Sequence, residues 1–358
     1  MLKIIDRYII RKFLTTFFFM LGVIMILAMV FDMAEKLGEF IEYGASASDI
    51  IFDYYVNFIL YYGNLFSSMI IFVSVIWFTA KMAQETEIIP IWNSGRPFGR
   101  FVRPYMIAAT ILMVISLVFN HFIIPRANNV RLAFEERFFR LTLSVSDYHA
   151  EFPGHQVVYF VSYTAETNLI YDLTVEQWND KNQVVSLIKA ATAENKAGTN
   201  DWVLNNYYER IVGDTNDVIR TGAKKDTVFQ FDIGEIATRE NVAEAMNYFE
   251  LKDFIERERI KGSSMVPMYE IELYQRTSLP FATYVLTIIG IAVASRKKRG
   301  GIGMNIAIGL GIIFIYIFAM KVTTVSALNV GVPSYIAVWV PNVLFGAVAY
   351  LLYVRAKR

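Results

Sequence analysis

The sequence predicts an α-helical membrane protein with six transmembrane helices and a β-jelly-roll domain inserted between helices 3 and 4. Three observations predict it. Six apolar runs are long enough to cross a bilayer, lysine and arginine gather in alternate short loops, and a central stretch of about 140 residues alternates apolar and polar positions. The 358 residues are 55% hydrophobic and 15% aromatic. That exceeds the roughly 45–50% apolar content of soluble domains.

A span needs about 20 apolar residues at about 1.5 Å each to cross roughly 30 Å of hydrocarbon. The runs are residues 13–31, 55–79, 101–124, 277–295, 302–322 and 335–354. The first follows a basic start (Lys3, Arg7, Arg11, Lys12). It is too long for a signal-peptide apolar region and no small-x-small cleavage site follows, so a retained anchor is expected.

Orientation follows from the flanking loops. Lys81, Arg96, Arg100 and Arg103 fill one loop, an Arg-Lys-Lys-Arg cluster occupies 296–299, and Arg355, Lys357 and Arg358 end the chain. The opposite short loops hold Asp32, Glu35, Glu39, Glu42, Asp49 and Asp53 with only Lys36, or no charge at all in 323–334. Both termini are therefore expected in the cytoplasm, and residues 128–270 on the far side. The expected division is 1–127, 128–270 and 271–358.

The exported segment opens with a helical "RLAFEERFFR". The alternating runs "HQVVYFVSY", "NLIYDLTVEQW", "QVVSLIKAATAE", "DWVLNNYYERIV" and "DTVFQFDI" follow, separated by polar turns such as "NDKN" and "GDTND". Short alternating strands between turn signals predict a sandwich or jelly roll. "YFELKDFIERERIKG" reads as a helix ending at Gly262.

Several chemistries are excluded. Without cysteine there are no disulfides, thiolate metal sites or cysteine nucleophiles. His121, His149 and His155 lack metal-ligand spacing, so no metal is expected. No P-loop, G-x-S-x-G or H-E-x-x-H pattern occurs. No cofactor and no catalytic residue is expected. A net charge of +1 identifies no partner, and nucleic acid is not expected as one. The spans carry few ionisable groups, unlike a proton relay. Energy for any work is expected from a partner.

Between spans two and three lies "ETEIIPIWNSG", residues 85–95. Ile88, Ile91 and Trp92 fall at i, i+3 and i+4, Glu85 and Glu87 open the stretch, and Gly95 closes it. Such a helix either rests in the lipid interface or docks in the groove of a separate ATPase. Two acids and no base between Glu85 and Ser94 favour docking over an anionic lipid surface. Pro90 requires the helix to start near Thr86.

Four segments carry a family resemblance: "DRYIIRKFLTTF", "KMAQETEIIPIWNSGRPFGRFVRP", "YEIELYQRTSLPFATYVLTIIGIAVA" and "GVPSYIAVWVPNVLF". Together they resemble the LptF/LptG lipopolysaccharide-export permeases, with Thr86-Glu87-Ile88 and Asn93-Ser94-Gly95 in the coupling-helix pattern and Pro90 departing from it. The N-terminus and "EKLGEF" lean toward LptG. The resemblance implies a transmembrane subunit of an ABC transporter in the inner membrane of Gram-negative bacteria, with a periplasmic β-domain. It implies pairing with a second LptF/LptG-type subunit and docking on an LptB-like ATPase dimer that binds the ATP. LptC-like and LptA-like bridge proteins would receive the lipopolysaccharide. By that resemblance Glu87 meets the ATPase, with Ile88, Ile91 and Trp92 as its apolar contact.

Lipopolysaccharide carries phosphates, which cations bind well. Lys36, Arg126, Arg131 and Lys321 lie near outer span ends and are the candidate lipid contacts, although interfacial snorkelling also accounts for them. Glycines 300, 301, 303, 309 and 311 permit close helix approach; packing and lateral gating both remain open. The alternatives are another envelope ABC permease, for lipoprotein release or mechanotransmission, and a membrane-anchored sensor or assembly protein. The first usually has four spans per chain, and the second needs no acidic coupling helix.

Overall fold

The computed structural model describes the chain apart from residues 1–2, 94–96, 139–143, 153, 165–166, 180, 182, 196–200, 214–215, 230–241, 264, 296–299 and 358. The basic cluster at 296–299 and Gly95 therefore lie outside the described residues. Two compact units are present. One comprises Met1–Leu132, Glu244–Tyr248 and Pro267–Arg358; the other comprises Ala133–Ala243 and Phe249–Val266.

The first unit is helical. Helix α1 spans Ile4–Glu42 and α2 spans Val56–Leu65, entered through a π-helical stretch, Ile50–Tyr55. Then come α3 (Ser67–Gln84), α4 (Ile88–Asn93) and α5 (Phe98–Val118). A second π-helical stretch, Phe119–Ile123, leads to α6 (Ile124–Phe138). Six helical segments are long and apolar enough to cross a membrane: Ile4–Glu42, Ser67–Gln84, Phe98–Phe138, Val266–Ala294, Gly301–Asn329 and Ser334–Ala356. The apolar run 55–79 is split at Phe66, whose backbone (φ −87°, ψ −2°) separates α2 from α3. The first helix also extends past its apolar run to Glu42.

Helix α3 is the hub. Its apolar window is 72% buried, against 17% for α1. Phe72, Ile76 and Ala80 pack on residues of three later helices, including Leu286, Ile313 and Ala349. Val75, Phe78 and Met82 pack on the first three turns of α1 and on Tyr105 and Ala109 of α5. Residues Ile9, Phe13 and Phe17 follow helical spacing and form the buried stripe of α1. Beyond it, Phe19, Ile26 and Phe31 are exposed, as a lipid-facing helix allows.

Among its described residues the second unit holds six strands: β1 (Ser144–Phe152), β2 (Gln156–Thr164), β3 (Leu169–Trp178), β4 (Val184–Asn195), β5 (Asp201–Ile211) and β6 (Val218–Val228). All neighbours are antiparallel and the spatial order is the chain order. The described strands thus form a meander of hairpins, whereas a jelly roll in the Greek-key sense would interleave them. The β-domain expected between spans three and four is present. Strand β1 was not among the predicted runs, β6 overlaps "DTVFQFDI" at residues 226–228, and residues 230–233 of that run lie outside the described residues.

Alternation is broken in mid-strand. Ile170, Leu173 and Val175 are buried on either side of Asp172, which is exposed and stands at φ +53°. Asn206 of β5 stands at φ +50°, and the pairing register runs on unchanged past both residues. Pairing of β3 with β4 shifts between Gln177 and Trp178, and an irregularity of this kind bends a strand and raises its twist. The core of the sheet gathers around Phe160, Leu173, Ala190 and Trp202. Burial raises the Tyr163 phenol above its ordinary pKa. Helix α7 (Tyr248–Ile260) follows, and Gly262 at φ +68° ends it as its sequence predicts. The Glu151 amide donates to the Lys261 carbonyl, tying β1 to the end of this helix.

Three helices complete the first unit: α8 (Val266–Ala294), α9 (Gly301–Asn329) and α10 (Ser334–Lys357). Pro280 stands inside α8 and cannot donate to the carbonyl four residues back, that of Arg276. The Asn120 side-chain amide donates to that carbonyl instead, at 3.2 Å. Neighbouring carbonyls receive further donors: Leu279 from Ser68 and Ser278 from Asn342. Tyr316 of α9 donates to the same Asn342 at 2.9 Å.

Candidate functional site

Helix α3 ends in a tight left-handed turn. The Glu87 amide donates to the Met82 carbonyl at 2.9 Å and the Thr86 amide to that of Ala83 at 3.3 Å. This is the double-bonded helix stop in which glycine usually takes the positive-φ place. Here Thr86 occupies it at φ +61°. Helix α4 then starts at Ile88, two residues later than Thr86, so Pro90 falls in its first turn. No amide partner is lost there.

The predicted outward apolar face changes accordingly. Ile88 is 1% exposed and belongs to the core formed by α1, α3 and α5, and Ile91 packs against that core. The late start of the short helix turns both side chains inward. Among the described side chains of α4, Ile89, 47% exposed, and Pro90 face out. Asn93 and Glu85 are also exposed. Glu85 meets Lys81, at 3.9 Å, one turn away on α3. The side chain of Trp92 is outside the described set.

Glu87 is held by α1. The Tyr8 hydroxyl lies 2.9 and 3.1 Å from its two carboxylate oxygens, and the Lys12 ammonium 3.4 Å from one of them. Lys12 also donates to the Tyr8 oxygen at 2.8 Å. On the far side of the loop, Arg100 forms two bonds to Asp6, at 2.6 and 2.8 Å. Asp6 is 4% exposed, and the Lys3 amide also donates to it at 2.8 Å. Tyr8, Lys12, Asp6 and Arg100 were not singled out as site residues from sequence. The i, i+4 spacing of Tyr8 and Lys12 put them on one helix face, but nothing local named the face's partner.

The candidate lipid contacts divide. Arg126 and Lys321 are exposed. Lys36 bridges Asp32, at 2.7 Å, and the Tyr54 hydroxyl, with its ammonium 4.8 Å from the Tyr54 ring centre. Arg131 is buried. It bonds Asn128 at 3.2 Å, lies 3.7 Å from Glu244, and covers the Tyr61 ring at 4.9 Å. Nearby, Arg276 bonds Glu272 and the Met246 carbonyl. A polar cavity of about 40 Å³ lies beside them, lined by Asn64, Ser116, Asn120, Glu272 and Gln275 among others. No group of residues suited to a metal ion occurs among the described residues.

Among the glycines of α9, a Cβ on Gly309 would come within 2.4 Å of Ile76 on α3. Gly303 and Gly311 face open space.

A family model described as the lipopolysaccharide export system permease LptF/LptG matches residues 7–355. No curated protein matches the chain.

Proposed function

The chain belongs to the LptF/LptG family of lipopolysaccharide-export permeases, and from that premise we propose that it is one of two permease subunits driven by a separate ATPase. Membership makes it a multi-pass inner-membrane permease subunit, with no enzyme activity of its own. The finer reading has α4 and the turn before it docking on an LptB-like ATPase dimer that binds and hydrolyses ATP. Lipopolysaccharide then leaves through the β-domain toward LptC-like and LptA-like bridge proteins. Both termini lie in the cytoplasm and the sheet in the periplasm, in keeping with the lysine and arginine distribution.

The observation that carries the docking reading is the α3–α4 turn. It presents Glu85 and the half-exposed Ile89 outward on an element whose other side is rooted in the core. Glu87 stands at the base of that element. Lys36, Arg126 and Lys321 are proposed to meet lipid phosphates. Arg131 is engaged by Glu244 and would do so only with that pair opened.

The test is purification of the tagged full-length chain from detergent-solubilised native membranes, with Ile89→Asp and Glu85→Lys beside wild type. An ABC ATPase and a second six-span permease accompany wild type, and the ATPase is depleted from both variants. A wild type that brings down no ATPase overturns the reading.

A further inference from the structure

We infer that Asp6, Tyr8 and Lys12 are positioning residues that clamp the motor-docking segment to α1, making α1 the lever that carries the stroke into the membrane. The inference rests on the docking reading above and goes beyond it. Docking assigns Glu87 to the ATPase, yet its carboxylate is already engaged by two donors of the chain itself, the Tyr8 hydroxyl and the Lys12 ammonium. A surface ion pair alone contributes little. This one does not act alone. The other end of the segment is fixed to the same helix by the two-bond Asp6–Arg100 pair, whose aspartate is 4% exposed. Paired charge-assisted bonds of this kind impose geometry as well as energy.

Between the two polar ties the contact is apolar. Ile88, Phe98 and Phe101 share one buried cluster with Ile9 and Phe13 of α1. The segment is thus fastened to three turns of one helix at both of its ends and along its middle. Close-packed contacts transmit displacement rather than absorbing it. Past Phe17 the helix is different, since few of its residues are buried over the remaining length to Glu42. At its outer end Phe40 packs on Tyr54 and Tyr55, and Asp32 accepts hydrogen bonds from both of their hydroxyls, so α1 is gripped at its two ends and acts as a lever between them. A push on α4 displaces its outer half. Tyr8 and Lys12 act through Glu87, and Asp6 through Arg100. None of the three needs to touch ATPase or lipid.

The test exploits the absence of cysteine from the chain. The full chain, purified with its ATPase and partner permease, is reconstituted in liposomes. ATP hydrolysis and lipopolysaccharide delivered to a soluble acceptor are measured together. The Asp6→Cys/Arg100→Cys double variant should hydrolyse ATP like wild type but deliver several-fold less lipid per ATP. A short bis-maleimide cross-linker should restore the ratio, because a covalent strut replaces the ionic one. Restoration is a result that a merely folding-related role does not give. A cross-link that halts delivery overturns the inference, since the two elements would then have to part during the cycle. So does an untreated double variant with a wild-type ratio. Should that variant fail to assemble, Lys12→Met tests the other tie: a lowered ratio with ATPase still bound supports the clamp, and an unchanged ratio removes it. A wild type with no ATPase topples the docking reading and the clamp's role together. A coupled wild type with an indifferent clamp topples only this inference.

Discussion

Thr86 is a β-branched residue at φ +61°, a conformation that costs an L-residue roughly 1–2 kcal/mol. Thr86→Gly should raise the unfolding temperature of the detergent-solubilised protein, by a free energy of about 1 kcal/mol. A lowered temperature would mean that the Thr86 side chain contributes more than its backbone costs. Asn120 is the converse case, a side chain that completes another residue's backbone. Asn120→Ala strands the Arg276 carbonyl, and leaving a buried acceptor unpaired costs about 1–3 kcal/mol. Thermal unfolding followed by tryptophan fluorescence should show the loss. The sequence contained both signals unevenly. Pro280 announces a carbonyl in need of a donor, but which asparagine answers, 156 positions away in the chain, is a fact of packing.

At the scale of elements, periodicity located most of what the chain builds. Helices follow from long apolar runs, and four of the six strands from alternation flanked by turns. Most of strand β6 escaped notice because nearly all of its residues are exposed or half-exposed, so neither face writes an apolar stripe into "VIRTGAKKDTV". The change of phase at Asp172, where two successive residues are exposed, escaped it because a pattern of period two has no place for it. Helix α4 was legible as a helix, but its facing was not. Two residues of delay in its start, set by the left-handed Thr86, exchange Ile88 for Ile89 as the outward side chain. Helix α9 offers a test of packing: Gly309→Val places methyl groups where Ile76 already stands. Overpacking typically costs about 1–3 kcal/mol, and Gly311→Val, which meets nothing, should be neutral. Equal losses at both positions, measured by thermal unfolding, would mean that Gly309 is not a packing site.

At the scale of the whole molecule, charge distribution rather than net charge set the expected topology. Glu39→Cys and Lys81→Cys, each in a chain without other thiols, test it. A membrane-impermeant maleimide should label the first in intact spheroplasts and the second only after permeabilisation; the reverse pattern would invert the protein. Architecture and family were legible because composition and motif order run the length of the chain. The clamp on α1 was not, since it joins residues some 75 to 94 positions apart. The carbonyls around Pro280 carry one more consequence, for how the chain is made. A ribosome delivers the first three spans long before α8, and the hydroxyl and amide awaiting that helix, on Ser68 and Asn120, are already in the bilayer when it arrives. The N-terminal half is thus a template for insertion. A C-terminal half synthesised alone would enter lipid with an unanswered carbonyl and be cleared by quality-control proteases, and supplying the N-terminal half as a separate polypeptide would rescue it.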